Sequence, residues 1–130
     1  MTNTIRIMRG DIILVDFGEQ IGSEQSGVRP ALVIQNNKGN EVSPTIIVCA
    51  ITSQTKRKLP THVELIPDEI NGLTKKSTVL VEQTRTVDRE RIIKKCGWVD
   101  GKFLAEQVNK ALTISLGLLY NNGIAAKANC

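Results

Sequence analysis

One arginine and one threonine carry the chemical interest of this chain. Gly22-Ser23-Glu24-Gln25-Ser26-Gly27-Val28-Arg29-Pro30 is a polar loop that runs into Ala31-Leu32-Val33-Ile34, so it delivers Arg29 to the mouth of an apolar strand. A second apolar run, Thr45 to Ile51, ends in the hydroxyl of Thr52. A guanidinium fork beside a hydroxyl suits a phosphodiester, because both donate to phosphoryl oxygens and the arginine stays charged near neutral pH. What is missing narrows the chemistry. His62 is the only histidine, which rules out a two-histidine acid–base pair. No carboxylate cluster or His/Cys spacing suggests a metal site, and there is neither a Walker loop nor a Gly-x-Gly-x-x-Gly motif. The expectation is a reaction without metal or cofactor. Cleavage of RNA by its own 2′-hydroxyl fits. The substrate brings the nucleophile, and the protein need only align the 2′-O, the phosphorus and the leaving 5′-O, stabilise charge on the phosphoryl oxygens and move a proton. A regular A-form helix does not offer that alignment, so the substrate should be single-stranded RNA. DNA, which lacks the 2′-hydroxyl, should survive.

The elements that must hold these residues read as a small, mainly β body. Short apolar runs separated by turn residues predict strands over 11–17, 30–36, 45–52, 61–66, 77–83 and 92–98. Most are continuous runs of Ile, Val and Leu rather than alternations, which favours a curled sheet or barrel with both faces covered. Pro30 is expected at a strand start, where its missing N–H does no damage. Asn36-Asn37-Lys38-Gly39-Asn40 reads as a turn. From Asp100, an N-cap by type, Leu104, Val108, Ala111, Leu112, Ser115, Leu116 and Leu119 recur at helical spacing, and Asn121-Asn122-Gly123 ends the pattern. This predicts a C-terminal helix of about five turns laid on the sheet or on a second subunit. Residues 1–123 are expected to form one domain, with a loose tail over 124–130.

Composition agrees with a folded domain that has a polyanionic partner. Of the 130 residues, 41% are hydrophobic and 23% charged, near the globular average. The net charge of +4 comes from the second half of the chain, where Lys56-Arg57-Lys58 stand together. Phe17, Trp98, Phe103 and Tyr120 are the only aromatics, too few for a stacking platform, so hydrogen bonds and charge would carry RNA binding. Cys49, Cys96 and Cys130 are odd in number and far apart, which argues for a reducing compartment over a disulfide framework. Met1 to Met8 lacks the apolar core of roughly 7–15 residues found in a signal peptide, and no run approaches a membrane span. A cytoplasmic protein without membrane attachment is expected.

Taken singly, the candidate residues each have an ordinary reading. Arg29 is a strand-start charge, Thr52 a β-branched strand end, Ser23 and Gln25 loop polars, and Asn36 a turn cap or a base contact. His62 is a hydrogen-bonded strand residue or an RNA ligand. Glu82 and Gln83 end a strand on the same rim, and Lys58 belongs to a solvated basic loop. Together they form a pattern. Arg9-Gly10-Asp11, the loop ending in Gly27-Val28-Arg29-Pro30, Ser43-Pro44-Thr45 leading to Ala50-Ile51-Thr52, Leu59-Pro60-Thr61-His62-Val63 and Glu82-Gln83-Thr84-Arg85-Thr86 resemble, in order, the MazF/PemK toxins, most closely the MazF or EndoA members of Gram-positive bacteria. With the C-terminal helix the resemblance spans residues 9 to about 120.

The resemblance implies the toxin of a type II toxin–antitoxin system, an mRNA interferase that cuts single-stranded mRNA at specific sequences without the ribosome. It implies an SH3-like barrel of the MazF/PemK/CcdB type, a homodimer with RNA along its interface, and inhibition by a MazE-type antitoxin. It assigns catalysis to Arg29 and Thr52 and leaves a 2′,3′-cyclic phosphate, or the 3′-phosphate from it, and a 5′-hydroxyl. RNA contacts are then expected from Ser23, Gln25, Asn36, Lys58, His62, Glu82 and Gln83. Gram-positive relatives suggest a U-rich-to-mixed pentamer such as UACAU as the cut site. The alternative is a CcdB-like toxin that poisons DNA gyrase without nuclease activity, since a fold does not fix a function; a third reading is an RNA-binding protein without catalysis.

Overall fold

Strands rich in Ile, Val and Leu bury both faces only if something packs on each side of the sheet, and that requirement organises the chain. The computed structural model describes residues 5–54 and 57–118. Its strands are β1 (Asp11–Asp16), β2 (Val28–Val33), β3 (Thr45–Thr52), β4 (His62–Leu65), β5 (Ser77–Asp88) and β6 (Ile92–Trp98). They form one six-stranded sheet in the order β4-β5-β3-β2-β1-β6, antiparallel throughout. One face packs Ile13, Val15, Phe17, Ala31, Val33, Ile46, Val48 and Ala50 into a core. The other packs Ile12, Leu32, Cys49, Ile51, Val63, Val79 and Val81 under Leu104, Val108 and Ala111 of the C-terminal helix.

The mainly β architecture with a C-terminal helix is as expected, and the SH3-like barrel type appears here as a strongly curled but open sheet. Among the described residues β4 and β6 share no ladder. The connection between β4 and β5 crosses to β6 instead, where Trp98 N donates to Ile70 O at 3.2 Å. Gly97 permits that approach, since a Cβ there would stand 2.1 Å from Ile70 O.

Several boundaries differ from the sequence reading. β3 and β6 match it, β1 stops one residue early, and β4 is shorter by one residue at each end. β2 runs 28–33 rather than 30–36, so Arg29 and Pro30 lie inside the strand. Pro30 is tolerated there because β2 pairs with β3 only from Ala31 onward. The expected turn at 36–40 is instead the start of a short helix, α1 (Asn37–Val42), capped by Asn36. β5 continues to Asp88 rather than ending at 83.

The reason for that last miss is a bend. Cys49 pairs with Thr84 and Ile51 with Val79, so Ala50 alone stands against Leu80, Val81, Glu82 and Gln83. The extra residues bulge, the strand turns, and the pairing resumes. The C-terminal helix starts as expected at Asp100, whose carboxylate accepts from Phe103 N at 2.8 Å. It runs as α2 (Gly101–Phe103), a π-helical stretch (Leu104–Val108) and α3 (Asn109–Ser115). It ends at Ser115, short of the expected length. Gly117 takes φ +68°, its N–H reaches Ile114 O and that of Leu118 reaches Thr113 O, the Schellman arrangement. The expected stop at 121–123 and tail at 124–130 lie outside the described residues. Among the described residues no helix is long and apolar enough to cross a membrane.

Candidate active site

Register places the arginine and the threonine. The β2–β3 ladder ends at the Ala31–Ala50 pair, and Arg29 and Thr52 each stand two residues beyond it on their own strands, Arg29 paired with Val15 of β1 and Thr52 with Thr78 of β5. Arg29 is half-buried, and its Nε donates to Ser26 O at 2.7 Å. That bond leaves the Nη groups as a fork. Thr52 is buried, with 1% of its surface exposed, and its Oγ1 accepts from Gln54 N at 3.2 Å.

A cleft of about 290 Å³ opens beside Arg29, and Thr52 is not among its lining residues. Arg29, Ile51 and Ser53 line it together with Thr74, Lys75 and Ser77 from the chain entering β5. Among the described residues two cations and three hydroxyl groups line this space and no carboxylate does, so the cleft favours an anion. Ser53, Thr74, Lys75 and Ser77 had no sequence signal beyond being polar; only the pairing of β3 with β5 brings them to Arg29.

A larger cleft of about 580 Å³ lies between the β1–β2 loop and β5 residues 82–86. Ser23 and Glu24 of the loop line it, as do Glu82, Gln83 and Arg85 of the β5 bend. Arg85, which the sequence reading did not single out, stacks over the Phe17 ring at 4.8 Å, with the cation over the ring face. Gln83 is already occupied: its Oε1 accepts from Gln25 N at 3.1 Å and its Nε2 donates to Ser23 O at 3.3 Å. Gln25 itself is buried, and among the described residues its Oε1 has no hydrogen-bond partner.

His62 and Lys58 belong to a third, smaller hollow of about 90 Å³, shared with Glu64 and Thr78. His62 Nε2 lies 3.0 Å from Glu82 Oε2, and Thr61 Oγ1 donates to Glu82 Oε1 at 3.1 Å. Glu82 therefore ties this hollow to the large cleft. Asn36 stands apart from all three. Its Oδ1 accepts from Gly39 N at 2.8 Å, the N-cap bond of α1. Among the described residues no three His, Cys, Asp or Glu side chains come together as metal ligands.

Residues 8–116 match the model of the PemK-like, MazF-like toxins of type II toxin–antitoxin systems. The chain is 48% identical over 114 residues to Endoribonuclease EndoA of Bacillus subtilis, covering 87% of this chain and 97% of that one. It is also 48% identical over 111 residues to Endoribonuclease MazF of Staphylococcus saprophyticus, covering 85% and 91%. Among solved structures, a MazE–MazF crystal structure from Deinococcus radiodurans superposes with a TM-score of 0.69 at 30% identity, covering 88% of this chain and 99% of that one. Over its six strands, its C-terminal helix and the loop that leads into Arg29, the chain belongs to the PemK-like, MazF-like toxin family.

Proposed function

We propose that the chain is the endoribonuclease toxin of a type II toxin–antitoxin system, with residues 1–123 acting as one toxin domain. It works in the cytoplasm as a homodimer and is held in check by a MazE-type antitoxin. The relatives named endoribonucleases support the activity, and the MazE–MazF relative supports the partner.

The observation that carries the finer reading is the anion-favouring cleft that Arg29 and Lys75 line together with Ile51 and Ser53, the two neighbours of Thr52 in the chain. A scissile phosphate of single-stranded RNA placed there meets the Nη fork, which stabilises charge on the phosphoryl oxygens as it builds. Thr52 holds the phosphate in line with the attacking 2′-O. The new O2′–P bond forms as the P–O5′ bond breaks; the 2′-hydroxyl gives up a proton and the leaving oxygen gains one. The products are a 2′,3′-cyclic phosphate and a 5′-hydroxyl, and no metal is required. Ser23 and Glu82 face flanking bases in the large cleft, and Lys58 attracts backbone phosphate near His62.

The test is to incubate the purified protein with a long single-stranded RNA in EDTA and map the 5′ ends. Discrete cuts are expected; Arg29→Ala should slow them by about 100-fold or more, and a 2′-H or 2′-O-methyl group at the cut site should abolish them. Intact RNA with the wild-type protein overturns the reading. Cutting that survives 2′-H removes the internal nucleophile.

A further inference from the structure

We infer that Thr78 is a further RNA-contacting residue, which with Lys58 holds a phosphate next to the scissile one. This rests on the ribonuclease reading above and adds a subsite to it. Strand pairing supplies the first step. Thr52 of β3 pairs with Thr78 of β5, and Thr78 pairs in turn with Glu64 of β4, so three side chains form one row across three strands, neighbouring Cβ atoms standing about 5 Å apart. One step along, Ile51, Val79 and Val63 are matched in the same way and pack under the C-terminal helix. Side chains alternate along a strand, so the row of Thr52, Thr78 and Glu64 stands on the opposite face. Arg29 belongs to that face as well, because its partner in β1 is Val15, a member of the other core.

Exposure rises along the row. Thr52 is buried, and its Oγ1 already accepts from Gln54 N at 3.2 Å. Thr78 is half-buried, and among the described residues its hydroxyl has no hydrogen-bond partner. It lines the hollow of about 90 Å³ shared with Lys58, His62 and Glu64. A water takes about 30 Å³, so the hollow suits a group of a few heavy atoms, such as a phosphate, and not a base. Its charges favour an anion. Lys58 has no ion-pair partner among the described residues, whereas Glu64, the one carboxylate lining the hollow, has Lys76 Nζ at 3.3 Å, and the His62 imidazole is held by Glu82 at 3.0 Å. Thr52 thus stands between the Arg29 cleft, lined by its chain neighbours Ile51 and Ser53, and a hollow lined by its cross-strand partner. Successive phosphates of one RNA strand would fill the two, the second held by the Lys58 charge and a hydrogen bond from the Thr78 hydroxyl.

The experiment compares Thr78→Val, which keeps the side chain's shape and strand preference but loses the hydroxyl, with Thr78→Ser, which keeps a hydroxyl, on a single-stranded RNA that contains the mapped cut site. A contact to a flanking phosphate binds ground state and transition state alike, so in Thr78→Val KM should rise by about 10-fold with kcat and cut sequence unchanged. Thermal melting should stay at the wild-type value, because the hydroxyl bonds to no described group in the protein. Thr78→Ser should recover most of the KM. A neutral methylphosphonate placed on each side of the cut in turn should, at one of the two positions, weaken wild-type binding and erase the difference between wild type and Thr78→Val. Lys58→Gln should lower the log–log salt slope of binding by about 0.7. A wild-type KM in Thr78→Val overturns the contact, as does a loss that Thr78→Ser shares in full or that persists with both methylphosphonates. If the wild-type protein leaves RNA intact, the ribonuclease reading falls, and the affinities of wild type and Thr78→Val for the uncut RNA still decide whether Thr78 touches it.

Discussion

Cys49 illustrates what a single buried residue can and cannot do in this chain. Its thiol is fully buried within β3, and burial, the largest cause, pushes its pKa up to about 11 from 9.0. The contact with Thr84 opposes that rise without overcoming it. Thr84 Oγ1 gives its proton to Val81 O at 2.8 Å, so in the 3.4 Å contact between Cys49 Sγ and Thr84 Oγ1 the sulfur is the donor. A thiolate would stand desolvated in the core. The thiol is therefore a packing group, as its place in an apolar run implied, and not a nucleophile. The sign of the pH effect follows. An unfolded chain releases this proton near its ordinary pKa and the folded one only near pH 11, so the stability is complete below about pH 9 and is lost between pH 9 and 11. The loss should be about 3 kcal/mol. Denaturant midpoints across that window should fall more steeply for the wild type than for Cys49→Ala, and equal slopes would contradict the assignment. At this scale the placement of Arg29 and Thr52 at the margins of apolar strands was legible from sequence, Arg29 just before one run and Thr52 just after another. Lys75 and Ser53 were not, because neither stands in a pattern until two strands pair.

Elements were legible where hydrophobicity fixed them and illegible where polar side chains did. β3 and β6 match the sequence reading residue for residue; for β3 the reason is that a continuous apolar run in a two-faced sheet leaves little freedom in where it stops. α1 was missed because its six residues carry no apolar period; what holds it is a set of amides. Asn36 caps it, Asn40 is buried with its Nδ2 on Gln35 O at 2.9 Å, and Asn37 Oδ1 accepts from Arg9 N at 2.7 Å. The far half of β5 was missed because Glu82 and Gln83 interrupt it, and their bulge reads as a strand end. These placements give Asn36 a structural task. Asn36→Ala should cost about 1 kcal/mol through the lost cap and Asn36→Asp should cost less, with cut sequence and kcat unchanged in both. Thermal melts with 5′-end mapping check this. A shifted cut sequence at unchanged stability would return Asn36 to base recognition.

Across the whole molecule, one connection links stability to the site. The chain between β4 and β5 covers the β6 edge at Ile70 and Gly72 and then supplies Thr74 and Lys75 to the Arg29 cleft. An open sheet with six strands exposes two edges, and an uncovered edge is both a loss of hydrogen bonds and a site for unwanted pairing. The covering depends on two glycines. A Cβ on Gly72 would lie 2.2 Å from Cys96 O, and one on Gly97 would lie 2.1 Å from Ile70 O. Both obstacles are backbone, so a side chain there cannot be absorbed by a rotamer change and the connection must move. Gly97→Ala should therefore cost about 3 kcal/mol or more, and because the same segment carries Thr74 and Lys75, it should lower kcat/KM in the surviving folded protein as well. Gly101→Ala serves as the control. A Cβ on Gly101 meets nothing within 4 Å, and alanine in the first helical turn should add about 0.5 kcal/mol of stability with no change in cleavage. Denaturation curves and RNA cleavage rates on the three proteins decide the matter. If Gly97→Ala loses stability but keeps full kcat/KM, the edge and the site are independent, and Thr74 and Lys75 hold their places without the contact at Ile70.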